Sequence, residues 1–176
     1  MKDELIEAVY NSFLRLKEND GSLFDCPIEK DTGYNARKLH EVCINHKLAN
    51  YLEEFIFPIL KGEDEAYFVD IEFNREGLNF KKLDIKDNEK LVRPDIIIHN
   101  RKSGEEKNNF LIIECKKVGV SIQEIEKDKS KIESFLRDDK YRYKFGLQVI
   151  YGKNKIEGII YTIEDNNITT ERIEVS

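Results

Sequence analysis

The chain has 176 residues with a formal net charge of −6 and a pI near 5.3, which fits one domain. This acidity argues against a protein that holds nucleic acid by bulk charge alone, although a local basic cleft stays possible. Its three cysteines show no CxxC spacing, so neither a disulfide framework nor a zinc site is expected. We expect no secretory signal and no membrane span, and therefore a cytoplasmic protein.

Two amphipathic helices are predicted in the first third of the chain. Residues 3–18 carry apolar side chains at helical spacing, and residues 19–35 are rich in turn signals. A second helix is predicted from Asn35 to Phe57, with His46 on its apolar stripe and Pro58 helping to end it. We interpret His46 as a partly buried core histidine rather than a site residue.

Strand patterns begin after the second helix. Residues 66–74 alternate, with Tyr67, Val69, Ile71 and Phe73 predicted on one side, and residues 75–90 are expected to form a loop or short hairpin. Residues 91–99 and 110–116 are continuously apolar at their centres, as in strands covered on both faces.

A third helix follows these strands. Ser121 and Glu124 have the spacing of a capping box, and the apolar face is predicted to contain Ile122, Ile125, Ile132, Phe135 and Leu136. Three more strands are predicted at 144–151, 155–163 and 167–174. The order is α-α-β-β-β-α-β-β-β, so we predict one α/β domain over residues 1–176, with a mixed sheet flanked by helices.

Three charged residues mark the ends of the two central strands. Glu114 and Lys116 are two apart, so they share one face of their strand, and Asp95 meets Glu114 if the strands pair. Two carboxylates so close repel each other unless they share a divalent cation, and oxygen ligands favour Mg²⁺ or Mn²⁺. A lysine beside such a cation suits phosphodiester hydrolysis, which needs a hydroxide and neutralisation of negative charge. An ordinary salt bridge between Glu114 and Lys116 is the alternative.

Pro94-Asp95, eighteen further residues and then Glu114-Cys115-Lys116 resemble the signature of the PD-(D/E)XK nuclease superfamily. The resemblance covers residues 35–151 and implies a restriction-endonuclease-like core. Residues 1–34 and 152–176 would then be an amino-terminal helix with its loop and carboxy-terminal strands added to that core.

The resemblance also implies roles for individual residues. Asp95 and Glu114 would bind the metal together with the backbone carbonyl of Cys115, and Lys116 would position or activate the attacking water. Many members add a glutamate from the preceding helix, for which Glu41 is our choice, so it joins both the catalytic and the metal-binding set. The implied activity is Mg²⁺- or Mn²⁺-dependent nuclease activity, most simply a DNA endonuclease; the alternative is an inactive nuclease-fold module that binds nucleic acid or a protein partner.

Basic residues after the third helix are candidate DNA contacts, because lysines and arginines there alternate with tyrosines. With Lys117 added, the candidates are Lys117, Arg137, Lys140, Arg142 and Lys144. An ordinary helix-to-strand loop is the alternative for these residues. Asp128, Lys129 and Lys131 are predicted to lie on a solvated helix face. Because the chain is acidic, DNA binding would also require a basic cleft, a homodimer or a partner protein.

Overall fold

The computed structural model describes residues 1–25, 36–61, 66–73, 75–76, 79–80, 82–84, 89–102, 108–141 and 143–176. The helices are α1 (Lys2–Asp20), α2 (Ala36–Leu60) and α3 (Ile122–Arg137), and a 3-10 helix follows α1 at Gly21–Asp25. The strands are β1 (Phe68–Ile71), β2 (Arg75–Glu76), β3 (Asn79–Phe80), β4 (Lys82–Asp84), β5 (Glu89–Leu91), β6 (Ile96–His99), β7 (Asn109–Lys117), β8 (Tyr143–Tyr151), β9 (Ile156–Glu164) and β10 (Asn167–Val175). Across these ranges, every helix is too short or too polar to cross a membrane.

Six strands form one mixed sheet in the order β1-β6-β7-β8-β9-β10. All neighbours are antiparallel except β7 and β8, which are parallel and joined through α3. The other strands form two separate antiparallel pairs, β2–β3 and β4–β5, which except for Leu91 lie within residues 75–90, the segment predicted to be a loop or short hairpin. The predicted α/β class and mixed sheet are confirmed, as is the order of the three helices and six sheet strands.

The helices lie on both faces of this sheet. Helices α1 and α2 share one hydrophobic core with Ile113, Cys115 and Leu147, whereas α3 shares a second core with Ile97 and Ile112. Side chains of successive strand residues point to opposite faces, so β6 and β7 are covered on both sides. The apolar runs of β6 and β7 are accordingly fully buried, as predicted.

The first two helices are longer than predicted. Helix α1 continues to Asp20, and α2 continues past Pro58 to Leu60, so the prediction that Pro58 ends α2 is wrong. Proline disrupts a helix by removing one hydrogen bond and by crowding the preceding turn. Leu60 is 4% exposed within the core, and its burial stabilises the last turn against that cost.

The predicted strand 91–99 is interrupted. Strand β5 ends at Leu91 and β6 begins at Ile96, with Pro94 and Asp95 between them. Proline cannot donate to a sheet ladder, so pairing resumes after it. Asp95 therefore lies at the entrance of β6, where its backbone carbonyl accepts a hydrogen bond from the Glu72 amide at 2.9 Å.

Helix α3 begins with the predicted capping box. The Ser121 hydroxyl accepts from the Glu124 amide, and the Glu124 carboxylate accepts from the Ser121 amide. Ile122 is 75% exposed, so its predicted place on the apolar face is wrong. At 3.6 residues per turn, Ile122 points about 80° away from Ile132 and about 140° away from Phe135, which are buried.

Candidate functional site

The ends of β6 and β7 bring Asp95 and the Glu114–Lys116 triplet together. The antiparallel register pairs Ile96 with Ile113, so Asp95 comes opposite Glu114 one position further along. The Asp95 Oδ2 atom accepts a hydrogen bond of 2.8 Å from the Cys115 backbone amide. The predicted meeting of Asp95 with this part of β7 is therefore present in the fold.

Glu114 is a buried carboxylic acid, 2% exposed, on the face of the sheet covered by α3. Its Oε1 atom lies 2.6 Å from the Lys131 ammonium, which also donates to the Arg93 carbonyl at 2.9 Å. Burial raises the pKa of Glu114 to about 8, and the charges of Asp95 and Asp128 add to the rise while Lys131 opposes it. The ionised form of Glu114 therefore depends on a cation close by.

Lys116 points to the same face as Glu114, as strand parity predicted, while Cys115 is buried in the opposite core. The Lys116 ammonium lies 3.0 Å from Asp128 Oδ2 and donates to the Cys115 carbonyl at 3.2 Å. Burial disfavours its charge, but the carboxylates of Asp128 and Asp95 outweigh burial and raise the pKa of Lys116 above its usual value. Lys116 is thus held as a cation beside that carbonyl.

Helix α3 supplies two site residues that the sequence analysis assigned to a solvated face. Asp128 is 6% exposed, and the Lys131 side chain is 15% exposed, so the prediction is wrong for both. The missed signal is positional: Asp128 lies three residues after Ile125 and four before Ile132, on the stripe that faces the sheet. A charged residue on such a stripe indicates a buried partner.

Two carboxylate oxygens in this cluster are incompletely satisfied. Glu114 Oε1 and Asp128 Oδ2 are buried and have no hydrogen bond of acceptable geometry. Each lies within ion-pair distance of a lysine ammonium, Glu114 Oε1 at 2.6 Å from Lys131 and Asp128 Oδ2 at 3.0 Å from Lys116. Each of these buried carboxylates therefore depends on one lysine to offset its charge.

Glu41 lies on α2, which packs on the other face of the sheet from Glu114 and Lys116. It is half-buried, and near it the Tyr151 hydroxyl is 3.5 Å from Asn45 Oδ1. Burial is the main cause of the raised pKa of Tyr151, and the charges of Cys115, Glu41 and Asp95 contribute. Glu41 and Asp95 are therefore within electrostatic reach of the same tyrosine, and the role of Glu41 stays a prediction.

The candidate DNA contacts lie apart from this cluster, except Lys117 at the end of β7. Lys144 precedes Gln148 by four residues, and Gln148 is registered with Glu114, so Lys144 lies about 13 Å along the strand. Arg137 ends α3 at that same far side of the sheet. Lys140 is exposed there, with its ammonium 5.3 Å from the centre of the Tyr141 ring, and Arg142 is outside the described residues.

His46 on α2 is exposed, so the prediction of a partly buried core histidine is wrong. A further polar cluster, with only His99 fully buried, lies at the end of β6 away from Asp95. His99 is 4% exposed, and its Nε2 atom lies 2.7 Å from Asp70 Oδ2, which also binds Arg101. These contacts connect β1 to β6.

No three His, Cys, Asp or Glu side chains among the described residues form a group that could hold a metal ion by themselves. Comparisons with protein-family models, curated proteins and solved structures found no match for this chain. Its activity therefore has to be inferred from its own residues.

Proposed function

We propose that this chain is a metal-dependent nuclease of the PD-(D/E)XK type. The observation that supports it most is the convergence of Asp95, Glu114, the Cys115 carbonyl and Lys116 at the adjoining ends of β6 and β7. This places carboxylate and carbonyl oxygens next to a positively charged lysine, a combination suited to hydrolysis of a phosphodiester.

The topology supports a restriction-endonuclease-like core. Helix α2 precedes three antiparallel sheet strands, β1, β6 and β7, and α3 then connects to the parallel strand β8. This is the order α-β-β-β-α-β that the sequence resemblance implies. The candidate residues lie at the ends of its second and third strands.

Asp95, Glu114 and the Cys115 carbonyl would hold the Mg²⁺ or Mn²⁺ ion, with Glu41 as a further proposed ligand. The incompletely satisfied oxygen of Glu114 supports the fit, because it is buried and needs a cation to stay ionised. All these ligand atoms are oxygens, which Mg²⁺ and Mn²⁺ prefer. When bound, such an ion lowers the pKa of a water and neutralises charge on phosphate oxygens.

Lys116 is a positively charged side chain that the protein itself supplies at this site. Its ammonium is held by an ion pair with Asp128 at 3.0 Å and by a hydrogen bond to the Cys115 carbonyl. That position suits stabilisation of the negative charge that develops on a phosphate during hydrolysis. Asp128 is a positioning residue in this scheme, because it acts by holding Lys116.

We propose DNA as the substrate. The net charge of −6 opposes DNA binding at physiological salt, so the cation at Asp95 and Glu114 has to offset part of the repulsion. A homodimer or a partner protein with a basic surface would supply the remaining attraction.

The test is cleavage of plasmid, single-stranded and branched DNA with Mg²⁺ or Mn²⁺. Lys116→Met should lower the cleavage rate roughly 10²- to 10³-fold, the usual cost of removing one group that stabilises transition-state charge. Asp95→Asn should abolish metal dependence together with activity. Lys129→Met is the matched control, because Lys129 lies on α3 but pairs at the surface with Glu133 at 4.0 Å.

Circular dichroism should confirm that each variant is folded before its rate is compared. Metal-dependent cleavage that survives both Asp95→Asn and Lys116→Met would contradict the site assignment. Absence of cleavage for every substrate, with no metal binding by calorimetry, would favour the inactive module that binds nucleic acid or protein.

A further inference from the structure

Lys131 contacts the carboxylate of Glu114, which is one of the proposed metal ligands. Its ammonium is 2.6 Å from Glu114 Oε1, a carboxylate oxygen without a well-oriented hydrogen bond. The second contact of that ammonium is the Arg93 carbonyl at 2.9 Å, on the segment that leads into Asp95. One lysine of α3 thus connects the entrance of β6 to the end of β7.

The two lysines of the cluster are held differently. Lys116 has Asp128 as its own carboxylate, at 3.0 Å, and this acid comes from α3 and not from the proposed metal ligands. Lys131 instead pairs with Glu114, the same carboxylate that is proposed to bind the ion. Binding of a cation by Glu114 therefore competes with Lys131 and leaves the pair of Lys116 and Asp128 intact.

Formal charge supports an exchange of this kind. With all three acids ionised, Asp95, Glu114 and Asp128 exceed Lys116 and Lys131 by one negative charge. At Glu114 Oε1 the Lys131 ammonium already lies 2.6 Å away, so a divalent ion bound to the same oxygen would stand against a second positive charge at contact distance, whereas an ion that replaces Lys131 would not. Uncompensated charge in a buried cluster is costly, so replacement is the favoured outcome.

We propose that Lys131 is an exchangeable counterion of the site, which neutralises Glu114 without metal and is displaced when a divalent cation binds. The inference rests on the proposed function in so far as the same carboxylates bind the ion. Lys131 then sets the metal concentration at which the site is filled. Its four-carbon side chain lets the released ammonium move toward solvent while α3 stays docked.

Calorimetric titration with Mn²⁺ alone tests the competition. Lys131→Met should bind Mn²⁺ roughly tenfold more tightly than the wild type, because one competing unit charge has been removed. Lys129→Met is the control on the same helix and should bind Mn²⁺ as the wild type does. Equal affinity in wild type and Lys131→Met would overturn the proposal.

Amine labelling of the wild type, read by peptide mass spectrometry, tests the displacement without any substitution. Mn²⁺ should increase labelling of Lys131 several-fold and leave Lys129 unchanged, because only Lys131 leaves a buried contact. Labelling of Lys131 that Mn²⁺ does not change would overturn the proposal, as would a wild type that binds no Mn²⁺. Binding with displacement but without DNA cleavage would support this inference and refute the nuclease activity.

Discussion

Gly146 of β8 lies directly against Ile132 and Leu136 of α3, and Gly146→Ala tests how firmly that helix is positioned. A Cβ atom at this position would lie 2.2 Å from Ile132 Cγ2 and 3.5 Å from Leu136 Cδ1. Ordinary contact begins at 3.4 Å, so Ile132 must move by 1.2 Å, the difference between 3.4 and 2.2 Å. A β-branched side chain in a helix has one strongly preferred rotamer, so part of this movement falls on the backbone of α3.

We expect Gly146→Ala to lower the free energy of unfolding by about 1–3 kcal/mol, the usual cost of an added methyl group in a packed core. For a chain of this size, each kcal/mol lowers the melting temperature by about 2–4 °C. The same displacement would lengthen the contacts of Asp128 with Lys116 and of Lys131 with Glu114, because both residues are on α3. Mn²⁺ affinity should therefore change along with stability.

Urea unfolding followed by circular dichroism measures this effect. Gly21→Ala is the control, because a Cβ atom at Gly21 would meet nothing within 4 Å. Ile132→Leu removes the methyl group that clashes while it keeps the volume, so it should restore part of the stability lost in Gly146→Ala. If Gly146→Ala were as stable as the wild type, or if Ile132→Leu gave no rescue, the close packing would be refuted.

Two further predictions concern polar contacts away from the proposed metal ligands. Burial would raise the pKa of Asp70, but hydrogen bonds from Arg101 and His99 outweigh it and hold the pKa below its usual value. The resulting stabilisation is present above about pH 4 and disappears as the pH falls through the folded-state pKa of Asp70. In urea titrations, Asp70→Asn should therefore lower the free energy of unfolding by about 1–3 kcal/mol at pH 7 and by little near pH 3. A cost that does not depend on pH would contradict this. Ser121→Ala removes the cap of α3 and should lower the free energy of unfolding by about 1 kcal/mol, as measured by thermal unfolding. Ser130→Ala removes a hydroxyl within the same helix and should lower it by less. Equal losses of stability in the two variants would argue against the capping role.

The ends of the central strands were predictable because strand geometry depends on short-range rules. Side chains two residues apart point to the same face of a strand, which places Glu114 and Lys116 together whatever surrounds them. The two apolar runs are close in the sequence, which favours antiparallel pairing, and the structure shows that pairing. Asp95 follows from the same register. The capping box of α3 is likewise a local signal that the sequence contains in full.

The two residues that α3 adds to the candidate site, Asp128 and Lys131, were not predicted, because their burial depends on tertiary contacts. Lysine side chains on a helix usually reach solvent, and whether Lys131 does so depends on which strand end lies beneath it. Asp128 is buried because Lys116 compensates its charge, a pairing between residues on two different elements. Neither partner could be chosen from helical periodicity alone.

The prediction that Phe73 lies on the same side of the strand as Tyr67, Val69 and Ile71 is wrong, because the backbone turns just before Phe73. Glu72 has a positive φ of 49°, which turns the chain after β1. Tyr67, Val69 and Ile71 pack on the core of α1 and α2, whereas Phe73 packs on the core of α3. Strict alternation does not continue through a residue in the left-handed region.

The two outer strands of the described sheet also affect how this chain behaves at high concentration. An outer strand offers free backbone donors and acceptors to a neighbouring molecule, which is a common start of aggregation. Strand β1 has four residues and stops at the left-handed Glu72, while β10 exposes the charged side chains Glu171, Arg172 and Glu174. Neither edge gives a long apolar template, so strand-to-strand growth between molecules is disfavoured at both borders of the described sheet.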